Sequence, residues 1–315
     1  MINRLIKTLK THQLITVTIF FFTLTLIFYY QIFQSKIPMP ADLLTGAYLP
    51  WLEQNYGHPI GVPVKNPLLS DIFSQFYIWK SLIGESYRNL QWPLWNPYSF
   101  SGYPLLATFH SATLNPANIF FVIFNDQNGW LFYTILPTFL MAITMFIFLK
   151  NLNLNFTSSL IGSIAYSFSG FAITWSQFGT MTYTMLYLPI ILYLINKFKS
   201  QNKTYYLILP FVVFLFITSG NFQGIIYSAL IAFFYWLYTQ FSDITRKQLL
   251  WFISSLFLGI LLSAIQILPT IELGQHSTRY EEKYASTYNY GLLPIAKIIT
   301  TLAPDYFGNP ATYNY

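Results

Sequence analysis

The chain contains no cysteine. Disulfides, thiolate nucleophiles and cysteine metal sites are therefore excluded, and the redox compartment stays open. Charge is scarce too: Asp, Glu, Lys and Arg make up 8% of 315 residues, against about 25% in an average soluble chain. A sequence that is 54% hydrophobic and 20% aromatic with so few charges excludes an ordinary water-soluble fold and leaves a membrane protein. Several local chemistries are missing as well. There is no GxxxxGK[ST], HExxH, GxSxG or CxxC pattern, so P-loop nucleotide hydrolysis, zincin chemistry and a serine-hydrolase elbow have no local support. The net charge of +6 is scattered between apolar runs instead of clustered on one face, so no nucleic-acid partner is expected.

What the chain does have is apolar length. Arg4, Lys7 and Lys10 precede a run from Leu14 to Phe33, long enough to cross the ~30 Å hydrocarbon core. No small-residue cleavage site follows, which predicts an uncleaved signal-anchor helix with a cytoplasmic N-terminus. Six further runs follow at 130–149, 158–175, 181–198, 204–219, 222–241 and 249–268. The expected fold is an all-α polytopic membrane protein of about seven transmembrane helices. Its parts are 1–33 (tail and first helix), 34–128 (first extracytoplasmic loop), 129–268 (six-helix bundle) and 269–315 (extracytoplasmic segment). Ser159, Ser163 and Ser167, beside Gly162 and Gly170, predict a face on which a neighbouring helix can approach closely. Pro189 and Pro210 predict kinks.

Charges test this topology. Nine Lys and Arg residues fall on the cytoplasmic side against Asp243 alone, while the other side holds seven bases and nine acids. That is the bias of the positive-inside rule; the protein is expected in the cell membrane, with the candidate site on the extracytoplasmic face, where nine of the ten carboxylates fall.

The long loop carries the remaining patterns. Pro67 at the first turn and apolar residues near helical spacing predict an amphipathic helix over Leu68–Arg88 in the interface plane, with a second over Asn115–Phe124. Between them lies WPLWNPYSFSGYPLLA, Trp92 to Ala107. Pro93, Pro97 and Pro104 remove donors and restrict the preceding residues, so neither helix nor strand is expected. Its Trp and Tyr rings suit a membrane–water boundary, and their number predicts a loop packed on the membrane domain.

Candidate chemistry sits in these outer segments. Asp42 and Asp71 can converge on a divalent cation, or one can act as general base. The plainer alternatives are a solvated loop acid for Asp42 and a helix cap or dipole partner for Asp71. His110 suits a base, a ligand or a satisfied interfacial histidine, and His58 in a Gly/Pro-rich loop says less. Glu272, His276 and Arg279 gather just beyond the last apolar run; Arg279 can fork onto a phosphate or pair with Glu281 or Glu282. No charge lies near the middle of any predicted span, which argues against an ion-coupled transporter.

Taken in order, these segments resemble the YfhO-type bacterial membrane proteins, which belong with the GT-C class of integral-membrane glycosyltransferases. The resemblance is carried by Asp42 after the first span, NPLLSDIFSQFYIWK, WPLWNPYSFSGYPLLATFHSATLNPANIF, AYSFSGFAITW, SGNFQGIIYSAL, QILPTIELGQHSTR and LAPDYFGNP. It implies a GT-C-like enzyme that takes a sugar from a polyprenyl-phosphate carrier in the membrane lipid and passes it to an extracytoplasmic glycan or polymer acceptor. It also implies a catalytic base in the first outer loop, a role that falls first on Asp42 and second on Asp71. The substrate-binding set expected on it is Trp95, Asn96, Tyr103, His110, Glu272 and Arg279, and any divalent cation is expected on Asp42 and Asp71. Such proteins continue into further transmembrane helices, so this chain is expected to be a piece of a longer one. The competing expectations are a non-enzymatic transporter or flippase for lipid-linked glycan intermediates, or a scaffold.

Overall fold

The computed structural model describes residues 2–198, 203–240, 245–277, 294–309 and 314. Twelve helices carry most of the described chain, and they are named in order. They begin with α1 (Ile2–Phe28), α2 (Ala41–Ala47), α3 (Tyr77–Arg88) and α4 (Ile119–Ile123). The apolar body follows as α5 (Asp126–Asn151), α6 (Phe156–Ser167), α7 (Gly170–Ser176), α8 (Thr180–Lys197), α9 (Lys203–Ile217), α10 (Phe222–Gln240), α11 (Arg246–Leu262) and α12 (Ala264–Gln275).

Each of the seven predicted apolar runs is helical. By length and composition, α5 and α10 can cross a membrane alone. The count rises to four if α6–α7, bent by 46°, and α11–α12, bent by 60°, are each one broken span. Gln13–Phe28 and Thr204–Ile217 are shorter apolar helices, so among the described residues length and composition support two to four spans. The bends have a local cause. Ser169 Oγ accepts the Ala172 amide and restarts the chain as α7, while Ser263 Oγ bonds back to the Gly259 carbonyl where α11 ends. Pro189 and Pro210 lie inside continuous helices, as do Pro137 and Pro269.

The chain forms two compact units. The first comprises 1–38 and 80–270, and its core is made by α5 against α6 and α8, α8 against α9 and α10, and α9 against α11. Val17 and Phe21 of α1 bury against Ala142 and Phe146 of α5. The expected small-residue face is present: Ser159, Ser163 and Ser167 are fully buried, and each hydroxyl bonds to the carbonyl one turn back. An apolar cavity of about 420 Å³ lies among α8, α9, α10 and α11, bordered by Leu209, Val213, Phe216, Trp236, Phe252 and Leu256. The outward faces carry Phe211, Phe233, Phe234 and Leu207, all more than half exposed, as a lipid-facing surface requires. The second unit comprises 39–79 and 271–315 and holds α2 and two short 3₁₀ turns, Trp51–Glu53 and Pro67–Leu69.

The predicted amphipathic helix over 68–88 is broken. Asn66 caps a 3₁₀ turn at Pro67, a π turn runs over Ile72–Phe76, and only Tyr77–Arg88 is α-helical. Likewise Asn115 caps a 3₁₀ turn over Pro116–Asn118 before α4. In both places the proline sits at the first turn, where its missing N–H is no loss.

Helix α11 approaches α9 through Gly259, where an added Cβ would lie 2.6 Å from Val213 Cβ and 2.9 Å from the Pro210 carbonyl oxygen. Ser255 Oγ reinforces the contact by donating to the Tyr206 carbonyl at 3.0 Å. Gly259→Val is expected to destabilise the first unit by about 1–3 kcal/mol through overpacking. Thermal unfolding in detergent reads this, and an unchanged midpoint would contradict so close an approach.

Candidate functional site

The 92–107 loop differs from its prediction. It contains a minimal hairpin, β1 (Trp95–Asn96) and β2 (Tyr103–Pro104), paired antiparallel with Trp95 opposite Pro104 and Asn96 opposite Tyr103. Proline is tolerated because a two-residue ladder leaves its position at an edge. The tip turns through Phe100 and Ser101, both left-handed, and Gly102 at φ 100°. A side chain at Gly102 would strike the Trp95 indole at 2.6 Å, so both backbone and ring require glycine there.

Nor is the loop wholly packed. Leu105, Leu106 and Ala107 are buried, yet Trp92, Leu94, Trp95, Tyr98 and Phe100 are exposed. The packing rests on the root alone. Asn96 is fully buried and frames the turn, its Oδ1 accepting the Tyr98 amide at 2.9 Å.

The predicted site residues divide between the two units. In the second unit Asp42 lies in the first turn of α2, half-buried, and its Oδ2 accepts the Lys65 amide at 2.7 Å. That bond closes the 42–65 segment on itself. Asp71 is exposed, makes no cap bond, and accepts Gln75 Nε2 at 3.1 Å one turn on. Glu272 is exposed on α12. In the first unit the hairpin brings Trp95, Asn96 and Tyr103 together, and His110 stands exposed in a short 3₁₀ turn, Phe109–Ser111. Arg279 lies outside the described residues. Among the described residues, no three of His, Asp and Glu gather to hold a metal ion.

The residue the sequence reading missed is Lys80. It is fully buried, with Nζ 2.8 Å from the Ser111 carbonyl, 2.9 Å from Asn118 Oδ1 and 3.5 Å from the Ala112 carbonyl. The ammonium also lies 4.5 Å from the centre of the Tyr133 ring. Burial pushes its pKa well below the usual lysine value. The signal was present: Phe76, Lys80 and Ile83 fall on one helical stripe, where the period calls for an apolar residue. With its donors engaged, Lys80 positions backbone; it does not offer itself to a ligand.

Around it, Asn118 Nδ2 donates to the Ala112 and Thr113 carbonyls, and Tyr87 OH donates to Thr113 at 2.8 Å. Ser81 bonds Asp126, and Arg88 Nη2 lies 3.8 Å from the same carboxylate, in ion-pair range but too long for a hydrogen bond. This block supports a cleft of about 320 Å³ bordered by Tyr87, Thr113, Asn115, Asn118, Ile119 and Val122. Asn115 Oδ1 is committed to the Ala117 amide, so its Nδ2, like Thr113 Oγ1, is buried without a partner among the described residues. Among the described residues the side chains that border the cleft are all neutral.

Lys80→Met should cost about 1–3 kcal/mol by stranding the acceptors around it. The wild-type contribution also depends on pH. In the folded state Lys80 loses its proton below the value of about 10.4 at which the unfolded chain does so. Between those values the unfolded state binds more protons, so stability relative to Lys80→Met rises with pH through that window and is level below it. Paired unfolding curves from neutral to alkaline pH measure it; a difference that falls as pH rises would contradict the buried position.

Comparison with known proteins adds one match. No curated protein and no solved structure matches the chain. Residues 63–306 match the model of a family described as bacterial membrane protein YfhO. That segment holds the broken helix of Asp71 and Lys80, the aromatic hairpin and the helical body; Asp42 precedes it. Because the match covers more than half of the chain, the protein belongs to the YfhO family of bacterial membrane proteins.

Proposed function

We propose that the chain is a membrane glycosyltransferase of GT-C type, moving a sugar from a polyprenyl-phosphate carrier to an extracytoplasmic glycan or polymer acceptor. The observation that carries this reading is the placement of Asp42. It lies on a short helix soon after the first apolar helix, with one carboxylate oxygen fixed by a backbone amide and the group still partly open to solvent. A carboxylate so held can take a proton from an acceptor hydroxyl as that oxygen attacks the anomeric carbon and the carrier phosphate leaves. Asp71 is the rival, more exposed and inside the matched segment.

Asp42→Asn keeps the size and removes the basicity. Transfer from a polyprenyl-phosphate sugar in membranes holding the protein is expected to fall ~10²–10⁴-fold, with insertion and yield normal and Asp71→Asn less severe. Near-normal transfer by Asp42→Asn rejects the assignment, and a dead Asp71→Asn beside it moves the role to Asp71.

The same reading puts the N-terminus in the cytoplasm and the hairpin outside. With no native cysteine, single cysteines at Gln54, exposed in the same predicted outer loop, and at Ser242, outside the described residues, report sidedness directly. A membrane-impermeant maleimide applied to intact cells should label the first and spare the second; the reverse pattern would invert the topology.

A further inference from the structure

Exposure in the hairpin is concentrated at its tip. Phe100 is 95% exposed, Tyr98 75%, and Trp92, Leu94 and Trp95 each more than half. In water this patch would be a liability. The two left-handed residues Phe100 and Ser101 hold the Phe100 ring out where an unstrained turn would use glycine or asparagine. No Asp, Glu, Lys or Arg occurs from 89 to 125, so nothing charged resists transfer of this surface out of water. Trp and Tyr, the rings that settle at headgroup level, flank the fully apolar Phe at the apex.

The root fixes the height of the tip. Gln266 Nε2 donates to the Leu106 carbonyl at 2.7 Å, and Thr270 Oγ1 to the Ala107 carbonyl at 2.9 Å. Both donors lie on α12, which also exposes Ile265 and Leu268. Helix α12 follows directly on α11, a 17-residue apolar helix of about 25 Å at 1.5 Å per residue. Helix α12, bent by 60° from α11, therefore has one edge bonded to the hairpin root and another apolar and exposed, so the hairpin is tied to the end of an apolar helix.

We propose that the 92–104 hairpin is a membrane wedge, its Phe100 tip seated in the headgroup–acyl boundary of the leaflet on its own side, with bilayer phospholipid as its partner. The proposal is independent of the reaction the protein performs. It accounts for a hairpin braced by Asn96 and Gly102 from within yet bare of protein at its apex. Seated so, it would hold the adjoining 105–118 segment against the lipid surface.

A single cysteine at Phe100 in this cysteine-free chain, labelled with an environment-sensitive dye and reconstituted in phosphatidylcholine–phosphatidylglycerol vesicles, tests it. The dye is expected to emit blue-shifted, to lose emission to nitroxides placed high on lipid acyl chains, and to be shielded from aqueous iodide. Quenching by iodide and not by the lipid nitroxides would put the tip in water and overturn the proposal. Shielding from both would mean that protein covers it, which overturns it equally. Phe100→Cys removes little packing from so exposed a position, and Tyr98→Cys repeats the reading at a second point of the tip, so loss of one variant leaves the test intact.

Discussion

The ammonium of Lys80 is the constraint around which the first unit is arranged. Burying a lysine is costly unless its donors are met, and among the described residues no carboxylate pairs with it. Its acceptors are supplied by irregular backbone. The 3₁₀ turn ends at Ser111 and Ala112 is left-handed, so the chain from 112 to 115 is irregular and the Ser111 and Thr113 carbonyls have no helical ladder to join. A cation without an acid and a loop with spare acceptors thus satisfy each other. Asn118 completes the arrangement by accepting from Lys80 through Oδ1 while donating through Nδ2 to Ala112 and Thr113. Its amide orientation is thereby determined by what it touches. The stack of Tyr133 on the ammonium ties the network to α5, the longest helix of the apolar body.

The apolar body follows the rules of a lipid solvent. Hydrocarbon offers no reward for gathering greasy side chains, so helices are held by close approach and by hydroxyls that bond within the protein. Gly259 against Val213, Ser255 on the Tyr206 carbonyl and the buried serine ladder of α6 are contacts of that kind. Phenylalanine and leucine are left to the outside, where a soluble protein would hide them. The two bends are compatible with the same solvent because the residues at the breaks satisfy the freed backbone groups.

Much of this was legible in the sequence, and the parts that were not have physical reasons. All seven apolar runs are helical because a long apolar stretch in lipid has few alternatives, and the prolines at 67 and 116 mark the turns that open α3 and α4. Periodicity could not show the π turn at Ile72–Phe76, since one inserted residue barely alters an apolar pattern. The hairpin escaped because its ladder is two residues long and depends on the indole of Trp95 filling the place beside Gly102, a tertiary contact with no local signature. Lys80 was visible as an anomaly of period, but a lysine on an apolar stripe is ordinarily a solvated end of a long side chain. Only the position of residues 111–118, thirty residues on, shows that it is enclosed. Of the candidate site, the hairpin sets Trp95 and Asn96 opposite Pro104 and Tyr103, while Asp42 and Asp71 each have their own partner, the Lys65 amide and Gln75.

The two acids are distinguished by how they are held, and that difference bears on which can act as a base. Proton transfer in a transition state rewards a carboxylate whose direction is fixed beforehand, since a freely rotating one must be ordered at the moment of reaction. Asp42 meets this condition through a backbone amide, the least mobile donor a protein has, contributed by a residue 23 positions along the chain. Asp71 is tied to a glutamine side chain one turn away on an exposed surface, where both partners retain rotamer freedom. The family match favours the opposite order, because it includes Asp71 and begins after Asp42. Membership in a family, however, carries the frame common to its members, and orientation is a property of the individual carboxylate. Under the proposed transfer Asp42 is the better oriented of the two carboxylates, and the amide of Lys65 is what orients it.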